Sequence, residues 1–240
     1  ITSQIINRRD LDFHVFEVLD AESLTQRERY ADHSRETFSA ALDAATVIAE
    51  EKFLPHNRES DENEPTFDGQ KVSMIPAVGE ALKTYCEAGW IAPTKDYDLG
   101  GMQLPVLLAQ AASSIFKSAN GPTLSYVGLT SGNANVIQNF GTEAQKKKYL
   151  QALLSGRFFG TMALTEPQAG SSLSDITTTA TPNGDGTYSI KGQKIFISGG
   201  DHELSENIVH LVLARLPDAP PGVKGISLFT VPKYHVNEDG

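Results

Sequence analysis

The run TEAQKKKYLQALLSG at residues 142–156 continues without a break into RFFGTMALTEPQAGSS at residues 157–172, and the local pattern of the chain changes inside it. In the first half, Thr142 and Gln145 make a capping box, Tyr149, Leu150, Leu153 and Leu154 fall at helical spacing, and Gly156 can close the helix in a left-handed conformation. In the second half, residues 158–164 form a short run of aromatic, small and branched residues, which has the length and composition of a strand.

Toward the N-terminus the helical period persists. Phe38, Leu42, Ala45 and Ala49 make one apolar stripe ending before Pro55; Ile75, Val78, Leu82 and Tyr85 or Cys86 make a second, with Pro76 in its first turn and Gly89 at its end; Leu108, Ala111 or Ala112 and Ile115 mark a third. Residues 55–70, polar and poor in apolar content, read as a loop. Toward the C-terminus the strand pattern continues over residues 188–191, 194–198, 208–214 and 226–231, and Pro182-Asn183-Gly184-Asp185-Gly186 reads as a hairpin turn. Helices first and strands second predict an α+β chain: a lead segment at 1–26, a helical N-terminal domain at 27–157 and an incomplete antiparallel β domain at 158–240. The last strand needs a partner, and the chain opens on Ile1 rather than Met, so both ends are expected to continue in a longer protein.

A formal net charge of −10 opposes binding to nucleic acid phosphates or anionic lipid, and the densest basic cluster, Lys146 to Lys148, reads as a solvated helix face. The lone Cys86 permits no intrachain disulfide and no Cys/His metal cluster, so a cytoplasmic setting and no metal are expected. No run approaches the roughly 18 apolar residues of a membrane span, and no signal sequence opens the chain.

Two segments carry the chemistry. In Gly160-Thr161-Met162-Ala163-Leu164-Thr165-Glu166-Pro167-Gln168-Ala169-Gly170-Ser171-Ser172, an apolar strand runs into a polar end and then a small-residue loop whose backbone can approach a ligand closely. That order suits a flat polar ring against the strand and a phosphate on the loop amides, although a small-residue corner is also an ordinary way to leave a strand. In Gly192-Gln193-Lys194-Ile195-Phe196-Ile197-Ser198-Gly199-Gly200, alternation puts Phe196 and Ser198 on one face, an aromatic to stack and a hydroxyl to donate; a half-buried strand ending in a Gly-Gly turn has the same pattern. Asp201, His202 and Glu203 read as a loop with solvated charges, and His210, inside an apolar run, as a satisfied sheet histidine.

Taken together, and preceded by Phe140-Gly141-Thr142-Glu143-Ala144-Gln145, these segments make the chain resemble the acyl-CoA dehydrogenase family over most of residues 27–235, and the long lead before Arg27 and the run Glu206 to Lys233, with its Asp218-Ala219-Pro220-Pro221-Gly222 turn, look like its larger-subunit branch. The resemblance implies a subunit with helical, β and C-terminal four-helix domains, the last absent here, and FAD in the cleft. It places Met162, Ala163, Leu164 and Thr165 along the flavin ring, Gly170 and Ser171 at the cofactor, and Ser171 also at the CoA part of the substrate. Phe196, Ile197 and Ser198 cover the ring, with Ser198 near N5. The family often has Trp at the position of Phe196, Thr at that of Ser198 and Asp at that of Ser172; the first two differences keep an aromatic and a hydroxyl, and the third removes a charge. The implied reaction takes a proton from the α-carbon of an acyl-CoA thioester and passes hydride from the β-carbon to flavin N5, giving a 2-enoyl-CoA. The base is expected beyond Gly240, so Glu166 is not cast in that role and residues 1–240 alone are expected to be inactive. Implied partners are an acyl-CoA, an electron-transfer flavoprotein and further copies of the chain, as a homodimer or homotetramer. The other readings are a DNA-associated flavoprotein and a non-catalytic one on the same scaffold.

Overall fold

The computed structural model describes residues 3–238 and 240. The chain divides into two units, one of residues up to Gly128 with Leu154–Gly156, the other of Leu129–Leu153 with the residues from Arg157 on. Among the described residues no helix is long and apolar enough to cross a membrane.

The first unit is helical. Helix α1 (Arg35–Ile48) begins at Ser34, whose hydroxyl accepts the Thr37 N–H while the Thr37 hydroxyl accepts the Ser34 N–H. Its stripe of Phe38, Leu42 and Ala45, carried on by Ala49 in the next turn, is fully buried, as the spacing predicts. Helix α2 (Pro76–Glu87) has Pro76 in its first turn, where the missing N–H costs nothing, and Gly89 beyond its end at φ 80°. Helix α3 (Val106–Gly128) is bent at Asn120, which leaves helical geometry two residues before Pro122. The Asn120 side chain bridges the bend, accepting the Thr123 N–H at 3.0 Å and donating to the Phe53 carbonyl at 3.2 Å. Phe53, Tyr85 and Phe116 pack against one another, and burial lowers the pKa of His56, which hydrogen-bonds the Thr123 hydroxyl at 2.8 Å.

Residues 55–70 are not a plain loop. They hold a short helix, Asn57–Glu62, and the first strand of a small hairpin, Thr66–Phe67 with Val72–Ser73. Local polar bonds order what apolar packing does not: Arg58 pairs with Glu62 one turn on, and Asp68 accepts the Gln70 and Lys71 N–H groups in the hairpin turn.

The second unit sets two helices and a five-stranded sheet together. Helix α4 (Thr130–Phe140) precedes α5, which runs from Glu143–Gln145 through a π-type turn at Lys146–Leu150 to Gln151–Leu154; the capping box of Thr142 and Gln145 forms with both bonds present. The strands are β1 (Phe158–Ala163), β2 (Thr179–Pro182), β3 (Tyr188–Lys191), β4 (Asn207–Arg215) and β5 (Ile226–Pro232). The β2–β3 hairpin turns at the Asn-Gly-Asp-Gly segment, with Gly184 and Gly186 at φ 86°. The α+β class is as expected, but the sheet is mixed rather than wholly antiparallel. Central β4 pairs parallel with β1, Thr161 opposite His210, and antiparallel with β5, His210 opposite Val231; β2 meets the end of β4 in parallel at Thr179 and Arg215. The connection between β1 and β4 carries the β2–β3 hairpin, which gives the chain the length to re-enter in the same direction.

Residues 194–198 are not the expected strand. Ile195 gives its N–H to the Thr165 carbonyl at 3.0 Å, Phe196 turns at φ 55°, and Gly200 closes a turn on the Ile197 carbonyl at 3.0 Å. The alternation of Phe196 and Ser198 therefore belongs to an irregular segment laid across the end of β1.

Candidate functional site

Strand β1 leaves the sheet through Leu164, Thr165 and Glu166, and a tight turn follows in which Glu166 and Ala169 exchange backbone hydrogen bonds at 2.8 and 3.1 Å around Pro167. Glu166 is 2% exposed. Its carboxylate accepts from Thr177 N (2.6 Å), Thr177 Oγ1 (3.0 Å), Thr178 N (3.0 Å), Thr178 Oγ1 (2.5 Å), Gln168 Nε2 (2.7 Å) and Lys194 Nζ (2.9 Å). Burial by itself would raise its pKa, but the bonds from Thr177, Thr178 and Lys194 outweigh it and hold the carboxyl well below the usual carboxylate range. This acid stays ionised, and its lone pairs are engaged.

Lys194 also donates to the Leu164 carbonyl at 3.0 Å. With the Ile195–Thr165 bond, this fixes the second chemical segment against the first. Beside the junction, Ala163, Lys194, Ile195, Phe196, Ile197, Gly200, His210 and Val212 line an open cleft of ≈ 370 Å³. Ala163, His210 and Val212 share one face of the β1–β4 pair, as the register and the alternation of strand side chains require. His210 is satisfied by the Thr161 hydroxyl at 2.7 Å from its Nδ1, and burial lowers its pKa. On the opposite face, Asn133 of α4 donates from Nδ2 to the Thr161 and Val209 carbonyls at 3.1 and 2.7 Å, and the Thr130 hydroxyl accepts the Gly160 N–H at 3.0 Å. These bonds fix β1 to its helix.

Three of the nine candidate residues, Ala163, Phe196 and Ile197, line the cleft together. Leu164 and Thr165 meet the same segment through their carbonyls, whereas Met162 alternates to the other face of β1. Gly170 and Ser171 lie exposed on the loop after Glu166, and a side chain at Gly170 would meet nothing closer than the Thr165 Cγ2 atom at 3.9 Å. Ser198 is exposed beyond the Phe196 turn. Ser172, which lacks the family carboxylate, donates to Asp175 at 2.7 Å. Phe196 is 89% exposed on a backbone conformation that costs a non-glycine residue energy. Its ring is left with a face open for stacking.

The sequence reading missed the joint of Glu166, Lys194, Thr177 and Thr178. An acid at the end of an apolar strand does demand a cation, but several lysines could have supplied it. It also missed Arg215, which donates to the carbonyls of Ile176, Ser174 and Gly222 at 3.0, 2.6 and 2.8 Å and secures the start of β2.

Residues 35–157 match the N-terminal domain of acyl-CoA dehydrogenases and residues 161–238 the middle domain. The chain belongs to the acyl-CoA dehydrogenase family. Among acyl-CoA dehydrogenases, 3-methylmercaptopropionyl-CoA dehydrogenase of Ruegeria pomeroyi is 39% identical over 97% of this chain and 40% of its own length. A butyryl-CoA dehydrogenase of Syntrophomonas wolfei is 38% identical over 97% of this chain and 39% of its own. The crystal structure of an acyl-CoA dehydrogenase from Geobacillus kaustophilus superposes with a TM-score of 0.67 at 28% identity, over 84% of this chain and 49% of that one. This chain thus spans about two fifths of the length of these curated relatives.

Proposed function

We propose that this chain is the helical and β portion of an FAD-dependent acyl-CoA dehydrogenase that converts an acyl-CoA to a 2-enoyl-CoA. The observation that carries this is the docking of residues 194–198 on the end of β1, which sets an exposed Phe196 beside the strand end and its open loop. FAD fits these residues: an aromatic surface for a flat ring, backbone and hydroxyl groups of Thr165 and Ser198 for its polar edge, and the open loop at Gly170 and Ser171 for phosphate. In this reading Met162 by its backbone, and Ala163, Leu164, Thr165, Gly170, Ser171, Phe196, Ile197 and Ser198, hold the cofactor, and Ser171 also touches the CoA portion. Bound FAD would supply the two-electron acceptor for the β-hydride.

The protein's task is to hold the substrate's α- and β-carbons between a base and the flavin. Glu166 is unsuited to that base, because six hydrogen bonds already occupy it and keep its pKa low. As the resemblance to the family implies, the proton in this reading goes to a carboxylate of a C-terminal helical domain outside residues 1–240. An electron-transfer flavoprotein is the proposed acceptor, a homodimer or homotetramer the proposed assembly, and the cytoplasm the proposed compartment. The intact protein should purify yellow with oxidised flavin bound, and Ser198→Ala should weaken flavin binding or slow its reduction by about 1 to 3 kcal/mol for one lost donor. Colourless protein that takes up no FAD on reconstitution would overturn the cofactor assignment.

A further inference from the structure

We propose that Lys194, acting through Glu166, is a positioning residue of the cofactor site, the anchor that presents Phe196, Ile197 and Ser198 to the flavin at one fixed height above β1. This rests on the assignment of those three residues to flavin contact. Neither Phe196 nor Ser198 is fixed by burial, since both are exposed. What fixes the segment is its N-terminal end. Lys194 Nζ donates to the Leu164 carbonyl and to Glu166 Oε1 at 3.0 and 2.9 Å, and Ile195 N donates to the Thr165 carbonyl at 3.0 Å.

Glu166 is the common point of three chain segments. It sits at the end of β1, it holds Gln168 at the base of the Gly170–Ser171 loop, and it holds Thr177 and Thr178 where that loop returns to the sheet. Lys194 adds the third segment. The pair is deeply buried, with side chains 11% and 1% exposed. Buried ion pairs are poor sources of net stability, because desolvation offsets their attraction, and their best-attested use is to fix register between elements. Here the elements so registered carry all nine proposed cofactor residues. A substitution at Lys194 leaves Glu166 its bonds from Thr177, Thr178 and Gln168, so the loop after Glu166 stays tied to it while the 194–198 segment is released.

The test uses the intact protein with FAD as the probe, in the variants Lys194→Met, Lys194→Gln and Lys194→Arg, with Phe159→Leu as a control that weakens the same sheet's core elsewhere. FAD affinity is read from quenching of flavin fluorescence, ring environment from the shape of the visible flavin band, and segment order from amide hydrogen exchange. Lys194→Met and Lys194→Gln should weaken FAD binding by about tenfold or more and blur the band, Lys194→Arg should recover most of the loss, and Phe159→Leu should stay within about twofold of wild type. Exchange in Lys194→Gln should rise at residues 195–199 and stay slow at 177–180. Wild-type affinity in both Lys194→Met and Lys194→Gln would overturn the proposal, as would an equal loss in Phe159→Leu at matched melting temperature. If Lys194→Met fails to fold, Lys194→Gln decides alone. If the wild-type protein binds no FAD, the proposed function has failed; the exchange result then judges the anchor by itself, faster exchange at 195–199 supporting it and unchanged exchange refuting it.

Discussion

Glu166 and His202 are both buried, and burial disfavours the charge of each, but only Glu166 has the donors to keep it. Glu166 stays charged because its donors outweigh desolvation, so replacing it with Gln strands Lys194 in a dry site. We expect Glu166→Gln to cost about 3 kcal/mol or more in urea unfolding, the range for breaking a buried pair by removing one partner. His202, 2% exposed against Phe159, is pushed down to about 4 from 6.5, chiefly by burial and then by Lys233. Its Nδ1 accepts the Leu204 N–H at 3.1 Å, a bond that protonation at that nitrogen would remove. Because the folded value lies below the unfolded one, the stability linked to this group is fully present above pH 6.5 and is lost as pH falls toward 4. Between pH 6.5 and 5 this amounts to about 2 kcal/mol from one imidazole, with His56 and His210 acting in the same direction. Urea titrations at a series of pH values should show this slope, and His202→Gln should flatten it; an unchanged slope in that variant would remove His202 from the account.

At the level of elements, β1 is fixed to α4 by Asn133 and Thr130, and it is tightly packed at Gly160. A Cβ there would lie 2.6 Å from the Asn133 Cβ and 2.8 Å from its Nδ2, the atom that binds the Thr161 and Val209 carbonyls. Gly160→Ala should therefore cost about 1 to 3 kcal/mol by overpacking, measurable as a lower melting temperature. Ser34→Ala, which removes the cap of α1, should cost about 1 kcal/mol. The same elements show what a sequence can disclose. The stripe of Phe38, Leu42, Ala45 and Ala49 and the caps at Thr142 and Gln145 are contacts within a few residues, so spacing alone reveals them. The parallel pairing of Thr161 with His210 joins residues 49 apart, and the hold of Lys194 on Leu164 spans 30; no local period encodes either. Residues 194–198 alternate like a strand yet are shaped by the Thr165 carbonyl and by a left-handed turn at Phe196. In the candidate site, Phe196 and Ser198 could be singled out by residue type, while the Glu166–Lys194 ion pair behind them could not.

For the whole molecule, the two units divide the work. The helical unit buries Phe38, Leu42, Phe53 and Phe116 around a polar seam at Asn120, and the second unit gathers the exposed chemical groups at the end of β1. A formal net charge of −10 disfavours a nucleic acid partner, and the match to acyl-CoA dehydrogenase domains covers residues 35–157 and 161–238. Because the base is assigned outside residues 1–240, this segment produced alone should give no 2-enoyl-CoA in a product assay even with FAD added. The dehydrogenase reading can be tested by mixing the intact, FAD-loaded protein without oxygen with a panel of acyl-CoA thioesters and following the visible flavin band while assaying the product. At least one thioester should bleach the band with formation of one 2-enoyl-CoA per flavin; a flavin that stays oxidised with every thioester, or a protein that holds no flavin, would rule the dehydrogenase out.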